Sequence, residues 1–239
     1  MYETIGFEEA GGIATITLVR PRINVKQLRE LERVCDHLED TSSSKVVVIS
    51  GHSEGIDFAD FDPKAGLDIH GFNKWEKLVS RIERLQQATV ASVDGDCVGG
   101  GFQLVLACDI RASAPRVWFG LPEVRMGFLP GMATFRLARY VGLGHAKRIV
   151  LTGGRIDAEE AERLGIVDMI HADAADRLTA ALAALGPTHT VAISLARRLL
   201  NESFETSYDD ALGNFLAAQH RAISQSAFLD TLRKERPGS

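Results

Sequence analysis

The stretch TVASVDGDCVGGGFQLVLACDIRASAPRVWFGLPEVRMGFLP, Thr89–Pro130, decides how this chain reads. Thr89–Val93 is a β-branched and apolar run, and Asp94-Gly95-Asp96 after it has the composition of a turn. Three glycines in a row follow, Gly99, Gly100 and Gly101, and then the helix-like run Phe102–Cys108. Glycine costs backbone entropy on folding, so three together need a reason. A strand-to-helix turn whose main chain comes close to a ligand supplies one. The first N–H groups of a helix have no acceptor inside it and lie at the positive end of its dipole. Such a turn can donate hydrogen bonds to a developing negative charge. Downstream, Pro122-Glu123 sets a carboxylate among Trp118, Phe119, Leu121, Val124 and Met126. Oxyanion donors beside an acid in apolar surroundings are the parts of a proton-transfer site.

Working outward, the chain's 239 residues suffice for one large domain or a domain with an appendage. The 45% hydrophobic and 25% charged content is that of a soluble globular protein. A net charge of −5 argues against a nucleic-acid binder. No apolar run is long enough to span a membrane, and MYETIGFEEAGG lacks the basic-then-apolar order of a signal peptide. Cys35, Cys97 and Cys108 are too few and too scattered for a disulfide framework or a metal site. A cytoplasmic, reducing location is therefore the expectation. Cys97 lies near the glycines and could be reactive; the plainer account is a small buried hydrophobe.

Tyr2–Glu8 and Ile13–Val19 read as two strands joined at Glu9-Ala10-Gly11-Gly12. Within Val25–Leu38, the residues Leu28, Leu31, Val34 and Leu38 fall at helical spacing. Lys45–Ser50 is a short apolar strand of the fully buried kind. Gly51–Gly66 is polar, acidic and glycine-bearing, and reads as a loop; His52 and His70 flank it without a visible partner and read as solvent-exposed. Gly71–Gln87 is amphipathic, with Phe72, Trp75, Leu78, Val79, Ile82 and Leu85 on one stripe, a pattern more often core than ligand wall. Met132–Gly153 carries two helical patterns, and Asp157-Ala158-Glu159-Glu160 resembles a capping box opening a helix that stops at Gly165. After Gly186-Pro187, the runs Val191–Asn201 and Tyr208–Lys234 are helical.

Four segments together resemble the crotonase family, also called the enoyl-CoA hydratase/isomerase family. They are Gly99-Gly100-Gly101, Ala107-Cys108-Asp109-Ile110-Arg111, Phe119-Gly120-Leu121-Pro122-Glu123 and Gly127-Phe128-Leu129-Pro130-Gly131. Each alone is weak, but the order and spacing of the set are specific. The resemblance covers about residues 10–200 well and implies an α/β fold, a spiral of repeated ββα units over 1–186. The helical region 187–239 would then build a trimer, often paired into a hexamer, and cover a neighbour's coenzyme A. No internal sequence repeat is visible. The family's small-Gly-x-Asp motif is matched by Glu54-Gly55-Ile56-Asp57-Phe58. The implied oxyanion donors are the main-chain N–H groups of Ile56 and Gly100, with Glu123 as the proton carrier. Gly99, Gln103, Asp57 and Asn24 are the implied substrate contacts. The segment Arg22-Ile23-Asn24-Val25 is compressed relative to the family, and Gly131-Met132-Ala133-Thr134-Phe135-Arg136 is one residue short, which reshapes the pocket beside Glu123. The substrate would be an acyl thioester of coenzyme A or of a carrier protein, with no separate cofactor or metal.

Hydratases of the family use two glutamates, and the first falls at Gln103 here. An amide can hold a water but cannot take its proton. A single glutamate suits double-bond migration, in which one carboxyl carries a proton from C2 to C4, or a related lyase reaction. The expectation is thus an isomerase or lyase, with hydratase/dehydratase as the alternative. A non-catalytic acyl-CoA-binding member is a further alternative, favoured by the lost glutamate and shortened loops. A dinucleotide-binding oxidoreductase fits poorly, because Gly95-Asp96-Cys97-Val98-Gly99 lacks G-x-G-x-x-G spacing.

Overall fold

A computed structural model of the chain describes residues 2–56, 69–186 and 189–235. The chain divides into two compact units, Met1–Gly186 and Pro187–Ser239. The first is a mixed α/β unit. Strands β1 (Ile5–Ala10) and β2 (Ile13–Leu18) form an antiparallel hairpin closed at Gly11-Gly12, both with positive φ. The short β3 (Arg22–Ile23) precedes helix α1 (Val25–Asp40), which leads into β4 (Val46–Ser53). β4 runs parallel to β2, pairing Val46 with Ile13 through Ser50 with Thr17. β5 (Gly55–Ile56) pairs with β3 in a separate two-stranded parallel sheet. Helix α2 (Ile69–Arg84) leads to β6 (Ala88–Val98), which lies parallel to β4.

The loop expected over Gly51–Gly66 is thus partly strand. Gly51–Ser53 ends β4 and Gly55–Ile56 is β5, while 57–66 lies outside the described residues. The turn expected at Asp94-Gly95-Asp96 is likewise strand, because β6 changes neighbours there rather than reversing. Val90–Val93 pairs with β7 (Ile110–Ser113), and Cys97–Val98 pairs with β8 (Trp118–Gly120). The β4 register shifts over the same interval, between Gly51 and Ser53, where Gly51 has φ 104°. A polar, glycine-centred tripeptide suits a strand bend as well as a turn.

β4 shows why its sequence is a continuous apolar run. Val47 and Ile49 join the main core with Leu31, Val34, Trp75 and Phe102, whereas Val46 and Val48 join Val90, Ala112 and Ala181 on the other face. A strand buried on both faces has no reason to alternate. The second face is covered by helix α6 (Ala174–Leu185), absent from the reading of the sequence. Its signals were alanine-rich helix propensity and Asp173, whose carboxylate caps Ala175 N and Asp176 N at 2.8 and 3.1 Å. On α2, Trp75, Leu78, Val79 and Ile82 are buried, Leu85 is buried just beyond it, and Phe72 is exposed. Trp75, at 1% exposure, is core. Truncating such a residue costs about 3–5 kcal/mol.

Helix α3 (Gly100–Leu106) follows β6 directly, and a 3-10 helix (Pro122–Met126) follows β8. Helix α4 (Ala133–Thr152) joins the two expected helical patterns across a break at Gly142, φ 72° and ψ 162°. Strand β9 (Arg155–Asp157) pairs antiparallel with β8. Asp157 then caps helix α5 (Ala158–Arg163) by accepting from Glu160 N at 2.8 Å, and β10 (Met169–Ile170) completes the sheet beside β7.

The second unit is helical: α7 (Thr190–Glu202), α8 (Tyr208–Ile223) and α9 (Ser226–Glu235). The single run expected over Tyr208–Lys234 is broken at Ser224-Gln225. There the Ser224 hydroxyl donates to His220 O at 2.7 Å and the Gln225 amide donates to Arg221 O at 3.0 Å. Side chains that bond back onto the preceding turn compete with helix continuation. Among the described residues, no single helix is long and apolar enough to cross a membrane.

Candidate active site

The glycine turn and Glu123 meet because β6 and β8 are neighbours. Val98 and Gly120 are register partners, and Gly99 N donates to Gly120 O at 3.0 Å. The residues that follow each strand are therefore side by side. After β6 comes Gly99, the N-cap of α3, with φ 55° and ψ −117°. After β8 come Leu121 and the 3-10 helix, with Pro122 in its first turn and Glu123 next to it. A Cβ on Gly99 would lie 2.5 Å from Oε1 of Glu123 and 3.8 Å from the Cα of Gly55. Only a residue without a side chain lets these three segments touch. Gly101 is needed for another reason: a Cβ there would overlap that of Ser53 on β4.

β5 brings the third segment. Ile56 is its last residue and pairs with Ile23, and Gly55, with φ 117°, faces the Gly99 turn. The main chain at Gly55 and at Gly99 thus meets beside the Glu123 carboxyl, while Ile56 and Gly100, the next residue along each segment, are not among the residues lining the cavity there. Arg22, Glu54, Gly55, Val98, Gly99, Pro122, Glu123, Met126 and Phe128 line a cavity of about 270 Å³. Sequence reasoning set Met126 in the apolar surroundings of Glu123 but offered none of Arg22, Glu54, Met126 and Phe128 as a site residue. Glu54, Met126 and Phe128 lie close in sequence to Gly55 or Glu123, whereas Arg22 arrives only by pairing with Gly55 across β3 and β5.

Glu123 is 4% exposed. Its Oε2 has no hydrogen-bond partner among the described residues. Burial pushes its carboxyl above the ordinary glutamate value, partly offset by a hydrogen bond from its own backbone. The plain account of Glu123 as an exposed or ion-paired surface residue does not fit this setting. Gln103 sits one helical turn beyond Gly99, donating its N–H to Gly99 O at 3.0 Å. Its side chain is 2% exposed and its Oε1 has no partner.

The other expected positions are placed differently. Asn24 caps α1, its Oδ1 accepting from Gln27 N at 2.8 Å, and it is not among the cavity-lining residues. Asp57 lies outside the described residues, as does the side chain of His52. His70 is exposed. Cys97 is buried, and burial drives its thiol pKa far up, as befits a small apolar side chain rather than a nucleophile. Among the described residues, no group of three or more His, Cys, Asp or Glu could hold a metal.

A mixed α/β unit with a glycine turn, a second main-chain segment and one buried carboxyl in contact defines a class of site suited to carbonyl polarisation and proton transfer. Residues 8–235 match the enoyl-CoA hydratase/isomerase family, and the chain belongs to it. It is 34% identical over 200 residues to an enoyl-CoA hydratase of Amycolatopsis orientalis, covering 84% of this chain and 90% of that protein. It is 29% identical to a short-chain-enoyl-CoA hydratase of Clostridium acetobutylicum, covering 95% of each. The crystal structure of an enoyl-CoA hydratase from Thermoplasma volcanium superposes with a TM-score of 0.89 at 26% identity, covering 98% of this chain and 97% of that one. The chain is thus a crotonase-family, acyl-CoA enzyme.

Proposed function

We propose that the chain moves a proton at the α-carbon of an acyl-CoA thioester through a stabilised enolate, most simply as an enoyl-CoA isomerase. The observation that carries this is the asymmetry of the acidic positions. Glu123 is a buried carboxyl with a free oxygen beside the glycine turn, and position 103 holds an amide. The thioester oxygen would be held by the N–H groups of Gly100 and Ile56. Removing one such donor in a comparable site costs about 3 kcal/mol of transition-state stabilisation. Ionised Glu123 takes the C2 proton of a 3-enoyl thioester, and the electron pair moves into the C=O to give a dienolate. The acid so formed returns the proton to C4, leaving the double bond between C2 and C3 and the carboxylate regenerated. A raised pKa suits both halves, because it makes the ionised form a stronger base near neutral pH.

Hydration, or its reverse, is the second reading. The names of the Amycolatopsis and Clostridium relatives favour it. Gln103 could hold the water, leaving Glu123 to serve both proton transfers.

Self-association as a trimer or hexamer is part of this proposal, supported by the exposed Leu200, Phe204, Tyr208 and Leu216 of the second unit. A reducing, cytoplasmic setting is supported by three buried cysteines, none of them in a disulfide. Exchange of solvent deuterium into the α-position of butyryl-CoA tests the central claim. Wild type should catalyse it, and Glu123→Gln should not. Equal rates would end the assignment of Glu123.

A further inference from the structure

Position 103 is where a second carboxylate would complete a water-handling pair, and another carboxylate already stands beside it. Glu76 projects from α2, half-buried. Its Oε1 accepts the N–H of Met132 at 3.0 Å, and its Oε2 lies 3.5 Å from Nη1 of Arg136 on α4. Gly131 stands between this carboxylate and α3. A Cβ on Gly131 would overlap Oε1 of Glu76 and come 2.9 Å from Nε2 of Gln103. The carboxylate and the amide nitrogen therefore crowd the same methyl-sized space. Gln103 is 98% buried, going by its 2% exposure, so water does little to separate the two electrically.

We propose that Glu76 is the positioning residue that sets the chemistry of position 103: held by Met132 and Arg136 against Gly131, its carboxylate accepts a neutral amide beside it and excludes a second ionised glutamate. Of the Gln103 amide it is Nε2, the end that donates, that comes within 2.9 Å of the methyl position Glu76 Oε1 overlaps. Oε1 of Gln103 is thereby left as a buried acceptor with no donor. A glutamate at 103 would instead place two carboxylates together, and one of them would keep its proton. The charged groups around this spot among the described residues are Glu76 and Glu83 on α2, Arg136 on α4, and Glu123 across Gly99. Arg136 also binds Glu83, at 3.1 Å, so its charge is shared and does not cancel that of Glu76. The proposal rests on the acyl-thioester reading for its consequence, which is that a one-residue change at 103 does not create a two-glutamate hydratase.

The test compares Gln103→Glu alone with Gln103→Glu combined with Glu76→Gln. The amide oxygen of Glu76→Gln still accepts from Met132, so the turn keeps its anchor. Hydration of crotonyl-CoA is followed from about pH 5 to about pH 9, spanning the range of a raised carboxyl pKa. A base must be ionised to act. The single variant should gain little hydratase activity near neutrality and more as pH rises. The double variant should exceed it by at least about tenfold near pH 7, with its rise at lower pH. Matching rates and profiles would overturn the proposal. Thermal melting is a second readout. Near neutral pH the single variant should melt below the double one, and the gap should narrow in acid, where protonation removes the repulsion between two adjacent carboxyls. Equal melting in both conditions would also overturn it. Exchange of the butyryl-CoA α-proton by wild type reports the Glu123 site separately, so its absence would count against the acyl-thioester reading and not against this pair.

Discussion

Two glutamates are buried among the described residues of the first unit, and they are opposites. Glu30, on α1, is 4% exposed, like Glu123. It accepts the N–H of Glu3 at 3.0 Å, the N–H of Thr4 at 2.8 Å and the Thr4 hydroxyl at 2.5 Å. Burial works to raise its pKa, but the Thr4 hydroxyl and the two backbone donors lower it below the ordinary value. Glu123 has the burial without the donors, and its pKa moves the other way. Glu30 spends its charge tying the N-terminal segment to α1. Glu123 keeps an oxygen to which the described residues offer no donor, as the proposed proton transfer requires. Burial alone marks neither role; what separates them is whether the protein itself supplies donors to the carboxylate.

The largest test of this contrast is Glu123→Gln, which should lower turnover of an enoyl or acyl thioester by about 10²–10⁴-fold, the range for a lost general acid or base. Stability should respond in the opposite sense. A carboxyl whose folded pKa is raised contributes stability below its ordinary value and loses it as pH rises through the raised one. Wild type should therefore weaken against urea between mildly acidic and mildly alkaline pH, and Glu123→Gln should weaken less. An equal decline would mean that Glu123 is solvated.

Gly99→Ala comes next. The new methyl would meet Oε1 of Glu123 on a backbone with φ 55°. Loss of activity should come with a loss of about 1–3 kcal/mol in stability. An active Gly99→Ala protein would show that Glu123 is not held against the turn. Glu30→Gln should reverse the pattern, costing about 1–3 kcal/mol through unpaired donors while kcat stays near wild type. The sign with pH also reverses. Its contribution is present above the ordinary glutamate value and fades as pH falls through the lowered one, so acid unfolding should separate wild type from variant least at the lowest pH. Smallest is Asn24→Ala, which removes an N-cap worth about 1 kcal/mol. If KM for the acyl thioester rises as well, Asn24 touches substrate in addition to capping α1.

Much of this contrast was legible in advance. The apolar run around Glu123 and the glycine triplet announced a carboxyl in dry surroundings near amide donors, since both are written in neighbouring residue types. Gln103 was readable as a departure from two-glutamate chemistry because the family resemblance puts the first glutamate of its hydratases at that position. Three other features were not readable. Asp94-Gly95-Asp96 has turn composition but serves as a strand bend, because only pairing with β7 and then β8 decides whether such a tripeptide reverses. Glu30 looks like any helix glutamate until Thr4 folds back over it. Glu76 carries no motif, and its meeting with Gly131 and Gln103 joins residues far apart in the chain.

Local chemistry in the sequence therefore determined the family, the glycine turn and the pairing of a glutamate at 123 with an amide at 103, on which the proposed function rests. These depend on residue type and short spacing, which the chain states directly. The tertiary structure decided which carboxylates are free and which are tied, and what stands beside position 103. Those depend on donors and charges delivered by strands and helices far apart in sequence, and on the exclusion of water that makes each such neighbour count.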